Sequence, residues 1–374
     1  MKILYVLPHF YPYVGGGETM FFDVARGMAA KGHEVRVVAR NVGDEYLGHK
    51  KVEGLDIWYC PWKSAFGHPI PLFKDIEEHI RWCDVVHTSI FTTSPVVSFL
   101  AKKHKKPSIL TVYEVRGNKW FWSDVVYRAV IYWMVEQFCC RMPFDAYHAI
   151  SDATKRDYLK FIGRRDVRRV YLANDLGKAA EKSSFSLKEY FNTGRSRVFL
   201  YYGRPGRTKG VFVLEEAIKR LKDSGRLPKD VKFCFLLGKE PEEPRKELLT
   251  KMRRDGLKGL VRVRPSIARE DLQECIKQAD WVVVPSLTEG FGFSALESCQ
   301  CGRPLIYSDG GSLPEVAFGH CRAFKNRDAK DLADKLLAAA KGLPDAFEDV
   351  AEKRFTKETM VGGLEEIYRE ISGC

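Results

Sequence analysis

Three junctions in this chain share one pattern: a short apolar run, a loop carrying glycine, and the start of a helix. Residues 3–7 lead into Gly15-Gly16-Gly17, residues 197–202 into a loop from Gly203 to Gly210, and Trp281-Val282-Val283-Val284 into Gly290-Phe291-Gly292. Short apolar runs separated by helical stretches belong to parallel sheets with helical crossovers and argue against an all-β sandwich. The alternation continues at residues 34–39, 84–87, 108–112, 145–150, 170–172, 232–237, 260–263 and 305–307, each read as a strand, and at 52–60, read as a strand or hairpin. Helices are expected over residues 18–30, 154–161, 268–278, 329–340 and 357–371, with others beginning near Thr92 and Phe293. Gly32 suits a left-handed cap on the first helix and Ser151 an N-cap on a later one.

A chain of 374 residues exceeds what one core usually supports, so two α/β domains are expected. Residues 178–196 are polar and aperiodic and read as a linker, which leaves domains at 1–177 and 197–356. Hydrophobic residues make up 45% and charged residues 29%, an ordinary soluble balance that excludes disorder. No window holds twenty uninterrupted apolar residues, so no spanning helix is expected. The first residues read as a buried strand running into Pro8, not as a signal peptide.

Ten cysteines are scattered without a Cys-x-x-Cys, which favours buried apolar residues or free thiols in a reducing compartment over a metal site. The formal charge of +12 is spread evenly over the two halves and favours anionic partners. By itself it does not choose among nucleotide phosphates, lipid phosphates, a membrane surface and nucleic acid. The basic clusters Lys102-Lys103-His104-Lys105-Lys106 and Arg164, Arg165, Arg168, Arg169 come with no nucleic-acid recognition motif, so no nucleic-acid partner is expected.

The glycine loops are where an anion can be held. Glycines let backbone amides approach a ligand, and a helix start adds unpaired N–H groups and a positive dipole end. Around Phe291 this places Glu289 in the loop and Glu297 inside the helix, two carboxylates able to accept from paired hydroxyls. Arg204 and Lys209 stand five apart across a Gly/Pro turn and can converge on one anion, the guanidinium as a fork and the ammonium as a point charge. Gly15-Gly16-Gly17 matches neither a Gly-x-Gly-x-x-Gly fingerprint nor a Walker loop, and alone reads equally as a plain turn.

Taken together, Glu289 and Glu297 bracketing Gly290-Phe291-Gly292, then Cys301-Gly302-Arg303-Pro304-Leu305-Ile306, Asp309-Gly310-Gly311 and Glu315-Val316, resemble the donor-binding signature of the family-4 (group 1) retaining glycosyltransferases. Gly203-Arg204 with Lys209-Gly210 and Lys31-Gly32-His33-Glu34-Val35 are similar to the family as well, and Glu18 falls where the family carries a glutamate. The resemblance implies the GT-B fold: two Rossmann-like domains facing across a cleft, with a C-terminal helix at 357–374 crossing back to the N-terminal domain. It implies a hexosyltransferase that uses a nucleoside-diphosphate sugar, retains configuration and needs no metal. The chain has no Asp-x-Asp, in keeping with that. Arg204 and Lys209 become leaving-group cations and Glu289 the group holding sugar hydroxyls. Gly15, Gly16, Gly17, Gly203, Phe291, Gly292 and Phe293 become donor-binding, and Glu297 the ribose ligand. At Tyr113-Glu114, in the acceptor or sugar region, the family commonly has His-Asp; tyrosine can donate a hydrogen bond but cannot carry positive charge. Asn174-Asp175-Leu176-Gly177 keeps only the position of a family turn.

Residues 119–141 are expected to form a helix apolar over much of its circumference, with Trp120, Phe121, Trp122 and Trp133 beside Arg128 and Arg141. Such a helix suits an anionic membrane interface or the core of the N-terminal domain, and half of each is compatible with both. Three functions follow: transfer to a lipid-linked acceptor at the cytoplasmic face of a membrane, transfer to a small soluble sugar or sugar phosphate, or a catalytically silent sugar-nucleotide-binding subunit. GDP-mannose is favoured over UDP-sugars as the donor.

Overall fold

In the computed structural model the chain divides into two compact units, residues 1–173 with 355–374, and residues 174–354. The structure describes every residue except Val14, Phe66, Gly67, Ile70, Asp124, Val125, Arg164, Arg165, residues 175–182, Arg354 and Cys374. Of Asp44, Ser64, Ala65, His68, Pro69, Trp122, Ser123, Val126 and Pro344 it describes the backbone only.

The first unit is built on an eight-stranded sheet. Its order is Val167–Arg169, Ala146–Ala149, Ser108–Val112, Val85–Ser89, Lys2–Leu7, Glu34–Arg40, Leu55–Cys60 and Gly48–Val52, parallel except for the last pair. Its central strands are buried along almost their whole length, which is why they read as unbroken apolar runs. The chain leaves Lys2–Leu7 through helix Gly16–Ala30 to the strand on one side, and leaves Val85–Ser89 through helix Thr93–His104 to the other. The connections diverge at that pair, which makes it the switch point of the sheet.

The second unit repeats the plan with seven strands, in the order Val261–Pro265, Val231–Leu237, Arg197–Gly203, Trp281–Val284, Leu305–Ser308, Gly319–Phe324 and Glu348–Val350. Only the last pair is antiparallel. Phe199 stacks on Phe233 at 5.0 Å and on Trp281 at 4.4 Å, so neighbouring strands are tied by rings as well as by the ladder. Its switch point lies between Arg197–Gly203 and Trp281–Val284.

Two expectations are corrected. The strand expected at 170–172 is formed by Val167–Arg169, paired with Tyr147 to Ala149; Val170 instead packs its side chain against Gly363. The expected linker is not aperiodic: Ser186 caps a helix at Leu187–Phe191, and Leu187 and Phe191 are fully buried in the second unit. Two apolar anchors four apart in a polar stretch are too few for a periodicity to be read. Residues 178–182 of that linker lie outside the described set.

Helix Lys357–Ser372 belongs to the first unit and packs on helix Gly16–Ala30. Gly27 makes room for it, since a Cβ there would lie 2.5 Å from Val361. Lys357 bonds Asp23 at 2.8 Å, and Glu365 accepts from Lys31 at 2.6 Å and from Arg369 at 2.8 Å. Those bonds, Lys31 first, hold the Glu365 carboxyl down at about 2.

One polar chain runs through the core. Tyr5 and Tyr368 are 3.1 Å apart at their hydroxyls, Tyr368 meets His87 Nδ1 at 2.6 Å, and His87 Nε2 meets Thr111 at 2.6 Å. Thr111 meets His148 Nδ1 at 2.9 Å, and His148 Nε2 ends the chain on the Val170 carbonyl at 2.9 Å. A carbonyl only accepts, so Nε2 of His148 carries the proton and Nδ1 accepts from Thr111. With both imidazoles neutral, every hydroxyl from Tyr5 onward donates in the same direction. Burial holds both histidines neutral, His148 down to about 4. Unfolding lets them bind protons below their ordinary 6.5, so the unfolded state takes up more protons and stability falls as pH falls. Thermal melts should therefore lose about 1.4 kcal/mol per pH unit from His148 alone between about 6.5 and 4. His148→Gln should show a shallower slope over that window; an unchanged slope would contradict the assignment.

Candidate active site

At the second unit's switch point two loops meet. Gly210 adopts φ +66°, and a Cβ there would lie 1.7 Å from the carbonyl oxygen of Pro285. Only glycine lets the loop after Arg197–Gly203 pass this close to the one after Trp281–Val284. Leu287 N–H donates to the Thr208 carbonyl at 2.8 Å and closes the pair. The result brings Lys209 Nζ to 2.6 Å from Glu289 Oε1, where the Ser286 hydroxyl also donates at 2.8 Å. Both contacts use the same oxygen, and among the described residues none bonds Oε2, whose lone pairs can meet a ligand.

The Glu289 loop is seated from below. Gly311, at φ +62°, lets the chain pass where a Cβ would be 2.7 Å from both the nitrogen and oxygen of Glu289. Ser312 donates its hydroxyl to the Phe291 carbonyl at 2.7 Å, and Asn326 donates to the Leu287 carbonyl at 2.8 Å. Gly292, at φ +99°, precedes helix Phe293–Gln300, whose first amides have no carbonyl partner inside the helix. Phe291 is buried, its ring against Phe293 at 5.3 Å. Motif and spacing assign no role to Ser286, Ser312 or Asn326. Their hydroxyl and amide groups show only once the loops are placed, although Ser286 directly follows the strand-ending Pro285.

Arg204 is exposed after Gly203; its backbone carbonyl accepts from Tyr201 at 3.0 Å, and no ion pair to its guanidinium is formed among the described residues. Arg207, outside the matched spacing, instead pairs with Glu247. Glu297 is buried, accepts from Asn174 at 2.7 Å, and has its carboxyl pushed up by burial, with Arg269 opposing. The expected ribose ligand is thus engaged with Asn174, whose amide oxygen is itself held by Arg269.

In the first unit a pocket of about 100 Å³ opens at the switch point between Leu7 and Ser89, and Tyr113 and Glu18 line it. Gly17 lies against the Tyr113 ring, where a Cβ would come to 2.7 Å. Gly16 opens the helix and Gly15 caps it, with the Glu18 carboxylate folded over Gly15. Burial, and secondarily Glu18, pushes the Tyr113 hydroxyl well above its ordinary value, so it stays protonated and able to donate. Glu114 is bonded to Arg116 at 3.1 Å.

The aromatic stretch forms helices Trp120–Ser123 and Val126–Arg141. Trp120 is turned toward the protein: its indole N–H donates to buried Glu136 at 3.1 Å, its ring stacks on Tyr132, and Arg116 lies over it. Glu136 also takes the amides of Arg116 and Gly117. Trp133 is half-buried, and the Trp122 side chain lies outside the described set. The exposed apolar face is instead Tyr127, Val130, Ile131, Met134, Val135 and Phe138, with Phe121 nearby in sequence and exposed Arg128 and Arg141 on the same helix. Ala129, Cys139 and Cys140 face inward. No helix among the described residues is long and apolar enough to cross a membrane.

Parallel sheets with helices on both faces and loops meeting at a switch point define the Rossmann-like class of fold, one such domain in each unit. Similarity to known proteins makes the class specific. Residues 14–177 match the model of glycosyltransferase family 4, and residues 184–353 match that of the group 1 glycosyl transferases. The chain belongs to the group 1 glycosyltransferases, with the GT-B fold of two Rossmann-like domains. Among relatives, it is 24% identical to a GDP-mannose:cellobiosyl-diphosphopolyprenol alpha-mannosyltransferase of Xanthomonas oryzae pv. oryzae, over 83% of this chain and 79% of that one. It is 20% identical to the O-antigen biosynthesis glycosyltransferase WclY of Escherichia coli, over 99% of each chain. Anabaena HepE, solved with UDP and glucose, superposes with a TM-score of 0.70 at 16% identity, covering 99% of this chain and 95% of the other. Sucrose-phosphate synthase from Thermosynechococcus elongatus superposes at 0.75 with 17% identity, covering 100% of this chain and 99% of the other.

Gly210→Ala tests the loop geometry. The added methyl meets backbone, not a movable side chain, and sits at positive φ. The variant should lose roughly 2 kcal/mol or more in urea unfolding, whereas Gly302→Ala, at φ +65° with open space around it, should lose clearly less.

Proposed function

We propose that this glycosyltransferase moves a hexose from a nucleoside-diphosphate sugar, GDP-mannose before UDP-sugars, to a lipid-linked acceptor. We further infer retention of configuration without a metal. The observation that carries the reading is the contact of Lys209 with Glu289 at the second unit's switch point, beside exposed Arg204. Breaking the anomeric bond leaves negative charge on the departing diphosphate. Lys209 and Arg204 stabilise that charge where it develops, and Glu289 accepts the sugar hydroxyls. The amides at the start of helix Phe293–Gln300 add donors for the phosphate oxygens. The departing phosphate, being basic, takes the acceptor proton on the same face. The Xanthomonas relative, named for GDP-mannose and a polyprenol-linked acceptor, supports this choice of donor and acceptor class.

The cytoplasmic face of an anionic membrane is the proposed location. Tyr127, Ile131, Met134 and Phe138 recur at helical spacing on one exposed face, and Arg128 and Arg141 can meet lipid phosphates. A silent protein that binds sugar nucleotide without transferring it is the second reading, favoured by Tyr113 where the family commonly has histidine.

Lys209→Met should keep the fold, since its side chain is part-exposed, yet lower kcat by roughly a hundred- to a thousandfold in a donor-consumption assay. If the unaltered protein consumes no sugar nucleotide that it binds, the silent reading takes over. Separately, the protein should float with vesicles containing phosphatidylglycerol, and the double change Ile131→Glu with Phe138→Glu should abolish flotation without lowering the melting temperature. Binding that survives the double change would remove this face from the membrane reading.

A further inference from the structure

Cys299 and Cys321 meet inside the second unit, one on helix Phe293–Gln300 and the other on strand Gly319–Phe324. The backbone of Phe318 joins them: its N–H donates to Cys299 Sγ at 3.4 Å, and its carbonyl meets Cys321 Sγ at 2.9 Å. The two thiols are also hydrogen-bonded to each other. Lys353 stands nearby, its ammonium donating to the carbonyls of Pro314 and Glu315, each at 2.9 Å, and its charge acts on both sulfurs. The bond from Cys321, against the opposing effect of burial, holds the Cys299 thiol below its ordinary value, with help from the Phe318 amide and Lys353. Every other cysteine among the described residues has its thiol pushed up instead. Cys299 keeps 7% exposure against 1% for Cys321, so a small oxidant reaches Cys299 first.

A thiol held toward its thiolate with a second thiol against it is the arrangement of an attacking and a resolving cysteine. We propose that this pair is an oxidative modification site, which hydrogen peroxide converts to a Cys299–Cys321 disulfide, loosening the seat of the Glu289 loop. The Cys299 thiolate attacks one peroxide oxygen, the O–O bond breaks, and the departing hydroxide takes up a proton to become water. Cys321 then attacks the resulting sulfenic sulfur, the S–O bond breaks, and that oxygen leaves with the Cys321 proton as a second water. Two thiols lose two electrons and two protons, and one peroxide becomes two waters. The neutral disulfide no longer offers a thiolate to the Phe318 amide or a negative neighbour to Lys353. Pro314 and Glu315, which Lys353 holds, lie in helix Leu313–Val316 directly after Ser312. The Ser312 hydroxyl in turn donates to the carbonyls of Glu289 and Phe291, at 3.2 and 2.7 Å. A change at the two sulfurs thus reaches the Glu289 loop through one short segment. Its effect on sugar-nucleotide binding rests on the glycosyltransferase reading; the disulfide itself does not.

The test uses the full chain, reduced, freed of reductant and exposed to a small molar excess of hydrogen peroxide. Remaining thiols are alkylated with iodoacetamide, and unreduced peptides are mapped by mass spectrometry. A Cys299–Cys321 link, reversed by dithiothreitol, should be the main product. Cys299 should oxidise at least ~10-fold faster than Cys60 or Cys234, whose thiols burial pushes up to about 12. In Cys321→Ser the reaction should stop at a sulfenic acid on Cys299 that dimedone traps; should that variant fail to fold, mapping of the unaltered protein still decides. Oxidation should speed hydrogen exchange of the amides at 287–292 by ~10-fold and weaken binding of GDP-mannose or a UDP-hexose by a similar factor. No Cys299–Cys321 link, or oxidation at Cys299 no faster than at Cys60, overturns the proposal. A link that leaves exchange at 287–292 unchanged overturns its coupling to the loop. Failure of the underlying reading looks different: the reduced protein binds no sugar nucleotide, while the cross-link and the exchange rates still decide what the two cysteines do.

Discussion

The missing Cβ of Gly210 is the constraint on which the donor-side architecture depends. Parallel pairing of Arg197–Gly203 with Trp281–Val284 brings two strand ends together, but strand ends alone leave the loops free to splay. Contact between loop backbones, with 1.7 Å from a hypothetical Cβ to the Pro285 carbonyl, converts adjacency of strands into adjacency of side chains. Lys209 and Glu289, eighty residues apart in sequence, become neighbours for that reason. Gly311 plays the complementary part beneath Glu289. The glycines act by what they leave out.

The ion pair formed there has a consequence for the proposed donor site. Glu289 is largely withdrawn from water while Lys209 is part-exposed, so a Glu289 that gives up its lysine keeps only the Ser286 hydroxyl as a donor among the described residues. A diphosphate that draws Lys209 away leaves Glu289 in need of donors, and the hydroxyls of the attached sugar are the donors at hand. Phosphate and sugar thus depend on each other for favourable binding, and a bare nucleoside diphosphate satisfies only half of the exchange. Such an arrangement favours the intact donor over the spent one, which assists release of product.

Much of the fold was legible because parallel strands buried on both faces read as apolar runs. Ser108–Val112, Trp281–Val284 and Ala329–Ala340 were read to the residue. Helix Glu242–Arg254 was missed because only Leu248 and Met252 are buried on it, too few apolar positions for a period to emerge from its charges. Strand Gly319–Phe324 was missed for the opposite reason: glycine, histidine and arginine near the sheet's edge break the apolar run. At the site, residue types and spacing located the Glu289 loop and the Arg204–Lys209 turn. The engagement of Glu297 with Asn174 could not be read, since it joins positions 123 residues apart. The same holds for the aromatic helix: composition marked it, but only burial shows that Trp120 turns inward and Ile131 outward.

The two switch points are built alike and furnished differently. Both sit where parallel strands send their connections in opposite directions, which opens a place for a ligand without any special loop. In the second unit that place holds a cation, a carboxylate and a helix start, the equipment for a group that gains negative charge. In the first, among the described residues, it holds hydroxyls, the ring faces of His9 and Phe91, and the Glu18 carboxylate. Tyr113 belongs to that second set: an imidazole could gain a proton and draw anions to the pocket, whereas a buried phenol kept protonated offers a hydrogen bond and nothing more. Departure from the family's usual histidine is then consistent with the rest of the lining, and it lowers the pocket's charge without removing its capacity to orient a hydroxyl.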